Sequence, residues 1–334
     1  EGSQRVKRRA VVFAEPGAVE IREEEIPAPG PGEVLVKTLV SGISAGTEML
    51  FYRGQVPRGM AVDETIAALG GEVCYPLKYG YAAAGRVIRL GEGVPPDWLG
   101  AHVFAFHPHE SHFTAAPADL LQLPGGVTPE AAAFLPNIET AVTLVLDGQP
   151  LLGERVAVFG QGVVGLLVTA LLGQMPLEHL ITVDAHAQRR MASLRLGATA
   201  SFDPAHADLP GDADLTFELS GAPEALDAAI GATGYSGRVV IGSWYGEKRA
   251  ALDLGGRFHR SRITLISSQV STIHPALRGR WSPERRYDVA WRMIRRVRPE
   301  RLVTHRFPVE RAAEAYALLD REPGQAIQVM LTYA

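Results

Sequence analysis

The segment Val156-Ala157-Val158-Phe159-Gly160-Gln161-Gly162-Val163-Val164-Gly165 constrains this chain more than any other. An apolar run of strand length, Arg155 to Phe159, meets three glycines spaced Gly-x-Gly-x-x-Gly, and an apolar helical run, Gly162 to Leu172, follows at once. Each glycine has its own physical use: Gly160 permits the tight turn, Gly162 lets backbone approach a pyrophosphate, and Gly165 lets the helix pack on the strand. Gln161, Val163 and Val164 complete the turn, where free backbone N–H groups and the helix dipole favour phosphate. A bare glycine pattern is an ordinary turn; its place between strand and helix makes it a dinucleotide signature.

The next strand ends at Thr182-Val183-Asp184, nineteen residues beyond Gly165. A carboxylate at that point accepts a ribose 2′-hydroxyl and repels a 2′-phosphate, so NAD(H) is the preferred cofactor. Arg189 and Arg190 follow closely enough to soften that choice, which leaves NADP(H) as the second.

The signature sits in a longer alternation. Leu180 to Val183, Leu215 to Glu218, Arg238 to Gly242 and Ile263 to Ser267 read as strands, with helical patterns at Gln188 to Leu196 and Ala222 to Ile230. Strand and helix alternating at this spacing predict a parallel sheet covered on both faces. The stretch before it is different: Val11 to Phe13, Val34 to Leu39, Gly85 to Leu90 and Ala101 to Phe106 are short strands set among Pro and Gly. Thr128-Pro129-Glu130 marks a helix start, with Thr as N-cap and Pro in the first turn. After Ser282, helical patterns at Pro283 to Val297 and Val309 to Leu319 precede a final strand, Ala326 to Thr332. These shifts predict an α/β protein with a β-rich domain over residues 1–127, a Rossmann dinucleotide-binding domain over 128–272, and a tail, 273–334, that returns to the first.

The 334 residues are enough for about two domains at roughly 150 residues each. With 33 basic and 37 acidic residues the net charge is −4, which excludes a global basic field for nucleic acid or an anionic membrane. A lone cysteine, Cys74, excludes an internal disulfide and a Cys-rich structural zinc site. No apolar run reaches the roughly 18 residues of a membrane span, and no apolar stretch follows the polar N-terminal segment; the expected address is cytoplasmic.

Several strings beyond the fingerprint resemble the medium-chain dehydrogenase/reductase superfamily: Pro29-Gly30-Pro31-Gly32-Glu33-Val34, Ser41-Gly42-Ile43-Ser44-Ala45-Gly46-Thr47-Glu48, Leu90-Gly91-Glu92-Gly93-Val94, Glu218-Leu219-Ser220-Gly221 and Val303-Thr304-His305-Arg306-Phe307-Pro308. The resemblance covers essentially the whole chain. It implies a GroES-like β-rich catalytic domain interrupted by a Rossmann domain, hydride transfer to or from nicotinamide, and a homodimer or dimer of dimers paired through the last Rossmann strand. Within the family, the string beginning at Ser41 is most similar to bacteriochlorophyllide a dehydrogenase, which makes a hydroxyethyl dehydrogenase the alternative reading.

The departures are as informative. Where zinc members of the family carry a ligand Cys, Gly-His-Glu and a third ligand, this chain has Ala45 (or Ser44, if a residue is inserted), Gly80-Tyr81-Ala82 and the segment Leu135-Pro136-Asn137. None of Ala45, Tyr81 and Pro136 is a usual zinc ligand, so a zinc-independent enzyme is expected. Carbonyl or enoyl reduction without a metal needs donors where negative charge develops on oxygen. By resemblance the candidates are Thr47, Tyr81, which takes the ligand His position, and His107, with Tyr81 and His107 expected on opposite walls of one cleft. Glu48 reads as a structural hydrogen-bond acceptor. His107, His109 and His112 also form a conceivable imidazole cluster. Further cofactor positions implied by the resemblance are Thr140, Ser220, Gly242, Ser243, Ser267, Ser268 and Gln269.

Between Arg278 and Arg301 there are nine arginines against three acids. The bland reading is a solvated helix face; the functional one is a rim for an anionic substrate. Together these features predict an NAD(H)-dependent oxidoreductase acting on a small molecule, with neither nucleic acid nor membrane as partner. A non-catalytic dinucleotide-binding protein is the reading from a different class.

Overall fold

The computed structural model describes residues 5–57 and 59–334. It divides into two compact units, one running to Pro136 and resuming over Arg298–Ala334, the other Asn137–Val297.

The first unit opens with an antiparallel hairpin of β1 (Val6–Glu15) and β2 (Ala18–Ile26). The charged run Glu-Ile-Arg-Glu-Glu-Glu in β2 hides its strand character from a hydrophobicity reading. β3 (Val34–Ile43) and the short helix α1 (Ala45–Tyr52) follow, then β4 (Ala83–Leu90), β5 (His102–Ala105), β6 (His112–Ala115) and β7 (Leu121–Gln122). Thr128 caps α2 (Pro129–Ala132), its hydroxyl accepting from Ala131 N at 3.1 Å.

α3 (Leu135–Gly148) leads into the second unit, which runs β8 (Arg155–Phe159), α4 (Val163–Leu172), β9 (His179–Val183), α5 (Ala187–Arg195), β10 (Ala200–Phe202), β11 (Ala213–Glu218), α6 (Pro223–Ala232), β12 (Thr233–Ile241), β13 (Thr264–Ser267) and α7 (Pro283–Val297). Its six strands form one parallel sheet in the order β10-β9-β8-β11-β12-β13. The order reverses at β8, so the glycine turn leaves the sheet at the topological switch point, where ligands of such sheets sit.

β14 (Val303–Pro308), α8 (Ala312–Arg321) and β15 (Gln328–Thr332) rejoin the first unit. Its main sheet runs β14-β15-β3-β4-β5-β7, with β6 also on β3. β15 lies antiparallel to β3, with Leu331 opposite Ser41. One core of this unit gathers Val11, Phe13, Phe51, Tyr79, Tyr316 and Leu331, and a second fills the strands around Val34, Val87, Val103 and Phe113.

The sequence places the domain boundaries after residues 127 and 272, whereas the contacts place them after Pro136 and Val297. The second boundary follows from α7. It buries Arg286, Ala290, Trp291 and Ile294, and Arg286 pairs with Glu139 of α3 at 2.6 Å. α7 therefore belongs to the second unit rather than to a returning tail. Among the described residues no helix is long and apolar enough to cross a membrane.

Candidate functional site

In the second unit, Gly160 takes φ +87°, a conformation that favours glycine, and a Cβ there would stand 2.6 Å from the backbone of Leu219 and Ser220. A Cβ on Gly165 would stand 1.9 Å from the carbonyl oxygen of Gly160. Gly162 differs from both. It has ordinary backbone angles, and a Cβ on it would meet nothing within 4 Å. The fold itself thus needs Gly160 and Gly165 but gives no steric reason for Gly162. The open space at Gly162, beside the N-terminus of α4, fits a pyrophosphate.

Asp184 closes this turn. Its Oδ2 accepts Gln161 N at 2.8 Å and its Oδ1 accepts His186 N at 2.8 Å. The Gln161 side chain is buried, with Nε2 on Gly160 O at 3.0 Å and Oε1 taking the Thr169 hydroxyl at 3.0 Å. Val163 and Val164 open α4. Arg190 donates to the carbonyls of Asp184 and Ala185, both at 2.8 Å. Burial pulls the Arg189 guanidinium below its ordinary range, and the charge of Asp184 opposes that.

The other expected cofactor residues, apart from Thr140, are at strand ends or beside them. Ser220 follows β11 and donates from N and Oγ to Glu218, which is fully buried and also takes the Tyr245 hydroxyl. Ser243 Oγ accepts Gly221 N at 2.8 Å. Gly242 has a packing reason of its own, since a Cβ would stand 2.6 Å from Leu144 and Leu219. Ser268 Oγ donates to Asp147 Oδ2 at 2.6 Å, and burial raises that carboxyl above its usual range. Ser267 ends β13, Gln269 Oε1 turns to Ser271 N at 2.7 Å, and Thr140 is half-buried on α3.

In the first unit, Ser44 precedes α1 and makes no side-chain cap, which leaves its hydroxyl for other work. Tyr81 donates its phenol proton to Ser44 Oγ, and Thr47 also hydrogen-bonds that phenol. Burial raises the Tyr81 pKa, while the bonds to Ser44 and Thr47 partly counter it. Thr47 and Tyr81 therefore share one hydrogen-bonded cluster.

His107 belongs to a different cluster. Its Nε2 lies 2.8 Å from Glu110 Oε2, and its ring lies on Phe113 at 3.9 Å between centroids. Glu110 also binds Arg8 and Lys78, each at 2.8 Å, and both cations reach Glu24 at 2.7 Å. The three histidines of the loop take three different partners: His107 takes Glu110, His109 takes Glu48 and Ser41, and His112 takes Ser111. They do not converge as ligands. Among the described residues no three His, Cys, Asp or Glu side chains are grouped for a metal.

Glu48 is the structural acceptor that the sequence suggests, but the buried network around it escapes sequence reasoning. Glu48 accepts Ser44 N at 2.8 Å, His109 Nε2 at 3.0 Å and the Tyr316 hydroxyl at 2.5 Å. His109 Nδ1 lies 2.7 Å from Ser41 Oγ, which lies 2.7 Å from the Tyr333 hydroxyl. Ser41, Glu48, His109 and Tyr316 are all fully buried. Their sequence separations carry no periodic signal; the one local clue is Glu48 four residues after Ser44, a variant of the reciprocal capping contact.

The arginine-rich stretch also divides. Arg286 turns inward to Glu139, Arg285 stacks over Trp281 at 4.3 Å, and Arg298 meets Glu300 at 3.4 Å. It is not one solvated face.

No family model matches the chain. Among characterised proteins it is 24% identical over 369 residues to sorbitol dehydrogenase of Gallus gallus, covering 96% of this chain and 95% of that one. It is 25% identical over 339 residues to 2-desacetyl-2-hydroxyethyl bacteriochlorophyllide A dehydrogenase of Cereibacter sphaeroides, covering 95% and 96%. Among solved structures, a short chain alcohol dehydrogenase of Escherichia coli CFT073 in complex with NADH matches with a TM-score of 0.78 at 19% identity, covering 99% of this chain and 100% of that one. The fold is therefore that of these enzymes, a GroES-like β-rich unit and a Rossmann unit, and the relatives are dehydrogenases of the alcohol dehydrogenase type.

Proposed function

We propose that the chain is a zinc-independent medium-chain dehydrogenase/reductase that moves hydride between NAD(H) and either an alcohol/carbonyl pair or an activated alkene. The observation that carries this reading is the glycine turn closed by Asp184: Gly160 and Gly165 are required sterically by the fold, while the space beside Gly162, the N-cap of α4, stays open for a ligand.

The residues fit a dinucleotide. Bound at this turn, the nicotinamide cofactor supplies or accepts the hydride. The amides at the start of α4 hold phosphate, and Asp184 retains lone pairs for a ribose hydroxyl beyond the two amides it already accepts. The residues do not fit zinc. Ala45 and Pro136 offer no side-chain donor atom, and Tyr81 offers only a phenol that burial keeps protonated, which is not a usual zinc ligand. Without such ligands, the proton and the stabilisation of a developing oxyanion fall to hydroxyl donors. Tyr81 keeps its proton through the neutral range and passes it to the reduced oxygen or carbon, with Ser44 and Thr47 as its hydroxyl neighbours. His107, held by Glu110, is the second donor. An anionic substrate would meet arginines of the α7 region other than the inward-facing Arg286.

The test is direct. NADH binding is followed by fluorescence, zinc by elemental analysis, and NADH oxidation with a panel of aldehydes, ketones, quinones and enones. Binding with turnover and far less than one zinc per chain is the expected result. Binding without turnover on any class favours a non-catalytic dinucleotide protein. Stoichiometric zinc that resists chelation defeats the metal-free reading. The second reading, hydroxyethyl oxidation on a bacteriochlorophyllide, draws on the string beginning at Ser41 and on the relative from Cereibacter sphaeroides. Oxidation of that chlorin in place of the panel would select it.

A further inference from the structure

His109 is fully buried, and its ring contacts Glu48 on one side and the Gly80 backbone on the other, each the neighbour of one half of the proposed proton donor. On one side, Nε2 binds Glu48, whose other oxygen holds Ser44 N at 2.8 Å. That fixes the start of α1, from which Ser44 Oγ accepts the Tyr81 proton. On the other side, the ring lies against the backbone of Gly80, the residue before Tyr81. Gly80 takes φ +115°, and a Cβ there would stand 2.6 Å from His109 Cδ2 and Nε2. The backbone adds a third tie, His109 N to Tyr79 O at 3.3 Å.

The hydrogen-bond roles are set by their neighbours. Ser44 N and the Tyr316 hydroxyl both donate to Glu48, so Glu48 acts as acceptor and His109 Nε2 donates to it as well. Nδ1 then accepts the Ser41 hydroxyl proton, and Ser41 accepts from Tyr333. Every polar atom of the imidazole is satisfied, which locks the ring orientation.

We propose that His109 is a positioning residue that holds Tyr81 and Ser44 in register, acting on Ser44 through Glu48 and on Tyr81 through the Gly80 backbone. The proposal rests on the reading of Tyr81 as proton donor. Loss of the imidazole would let the two loops move independently, and a misplacement of about 1 Å can cost up to a hundredfold in rate.

The experiment combines a double-mutant cycle with a spectroscopic signature. The full chain is labelled with tyrosine carrying 13C at the ring carbon that bears the hydroxyl, and the Tyr81 resonance is assigned by its disappearance in Tyr81→Phe. In His109→Asn that resonance is expected to move toward the position of an exposed tyrosine. With the panel compound that the wild type reduces fastest, kcat is expected to fall about ten- to a hundredfold while the NADH KM holds. In the Tyr81→Phe background the same substitution should cost less than about twofold, because the group it positions is already gone. An equal loss in both backgrounds, or an unmoved resonance, overturns the proposal. If His109→Asn fails to fold, Ser41→Ala decides. It leaves the imidazole in place but removes the partner of Nδ1, and it should give a smaller shift and loss of the same kind; full activity with an unmoved resonance counts against the idea. Should Tyr81→Phe itself turn over normally, the proton-donor reading fails, while the resonance still reports whether His109 sets the Tyr81 environment.

Discussion

Gln161 donates its backbone N–H to Asp184 Oδ2 at 2.8 Å, which ties the end of β9 to the glycine turn after β8. The acid that would receive the ribose hydroxyl is thus also built into the phosphate turn. NADH is expected to bind more tightly than NADPH. Asp184→Ala should narrow that ratio, since removing one charge repulsion is worth about 1 kcal/mol or more. It should also weaken NADH itself, because Gln161 N loses its acceptor. Fluorescence titration of both cofactors checks this; equal wild-type affinities, or an unchanged ratio in the variant, defeat it.

The glycines separate fold from ligand. Gly162→Ala should lower apo stability by less than about 1 kcal/mol yet weaken NADH binding, because its Cβ enters only the space kept for phosphate. Gly165→Ala should unsettle the fold itself by about 1–3 kcal/mol or more, since its Cβ would strike Gly160 O. Thermal melts with and without NADH distinguish the two. Gly162→Ala binding NADH like the wild type would remove the ligand argument.

Tyr81→Phe keeps the ring, which meets Tyr79 edge-on at 6.1 Å, and deletes only the hydroxyl. Turnover is expected to drop about a hundredfold or more, as for loss of one oxyanion donor, with NADH affinity unchanged. His107→Ala should cost less. Normal rates in both would refute the donor assignment while leaving the cofactor reading standing.

Glu110 is a buried carboxylate whose charge the first unit stabilises. Burial works against its charge, but bonds from His107 and Lys78 and the nearby Arg8 hold its carboxyl below the ordinary value of 4.5. A lowered folded-state pKa adds stability that is present above 4.5 and lost as pH falls through the lower folded value. Glu110→Gln is expected to cost about 3–5 kcal/mol near pH 7, since it leaves three basic groups around a buried neutral amide. The difference in melting temperature between wild type and variant should shrink below pH 4.5. A gap that stays constant with pH argues against the ionic role.

β13 is an edge strand of the parallel sheet, and its backbone is open on one side. Such an edge invites pairing with a second copy. A homodimer or dimer of dimers is expected by light scattering at micromolar concentration; a monomeric mass counts against it.

The central Rossmann strands were legible because they are buried on both faces and read as apolar runs: Arg155 to Phe159 has its observed bounds. The helix Pro283–Val297 also has its observed bounds, although the sequence alone puts it in the returning tail. The first unit was harder. β2 is mostly charged, β6 and β7 are four and two residues long, and α1 follows β3 after a single residue. The site divided in the same way. Gly160, Gly165 and Asp184 depend on local geometry, which a motif records. The Glu48–His109–Ser41–Tyr333 network depends on four segments meeting, and pairs such as Ser41 and Tyr333, 292 residues apart, leave no pattern in one sequence. His109 therefore looked like one imidazole among three in a loop.

β14 joins the first unit's sheet only through β15, and β15 lies against β3, so that sheet lacks both strands until residues 328–332 are in place. On a ribosome, residues 137–297 emerge complete and can fold as a unit while the earlier segment waits. During that interval β3 has β4 along one edge and β6 along residues 34–37 of the other, but residues 40–43 have no partner on that edge, and the apolar residues that will pack on Leu331 and Val329 are uncovered. The nascent protein must pass through a stage in which its Rossmann unit is finished and its β-rich unit is still an open template. That window is where a chaperone would be needed most.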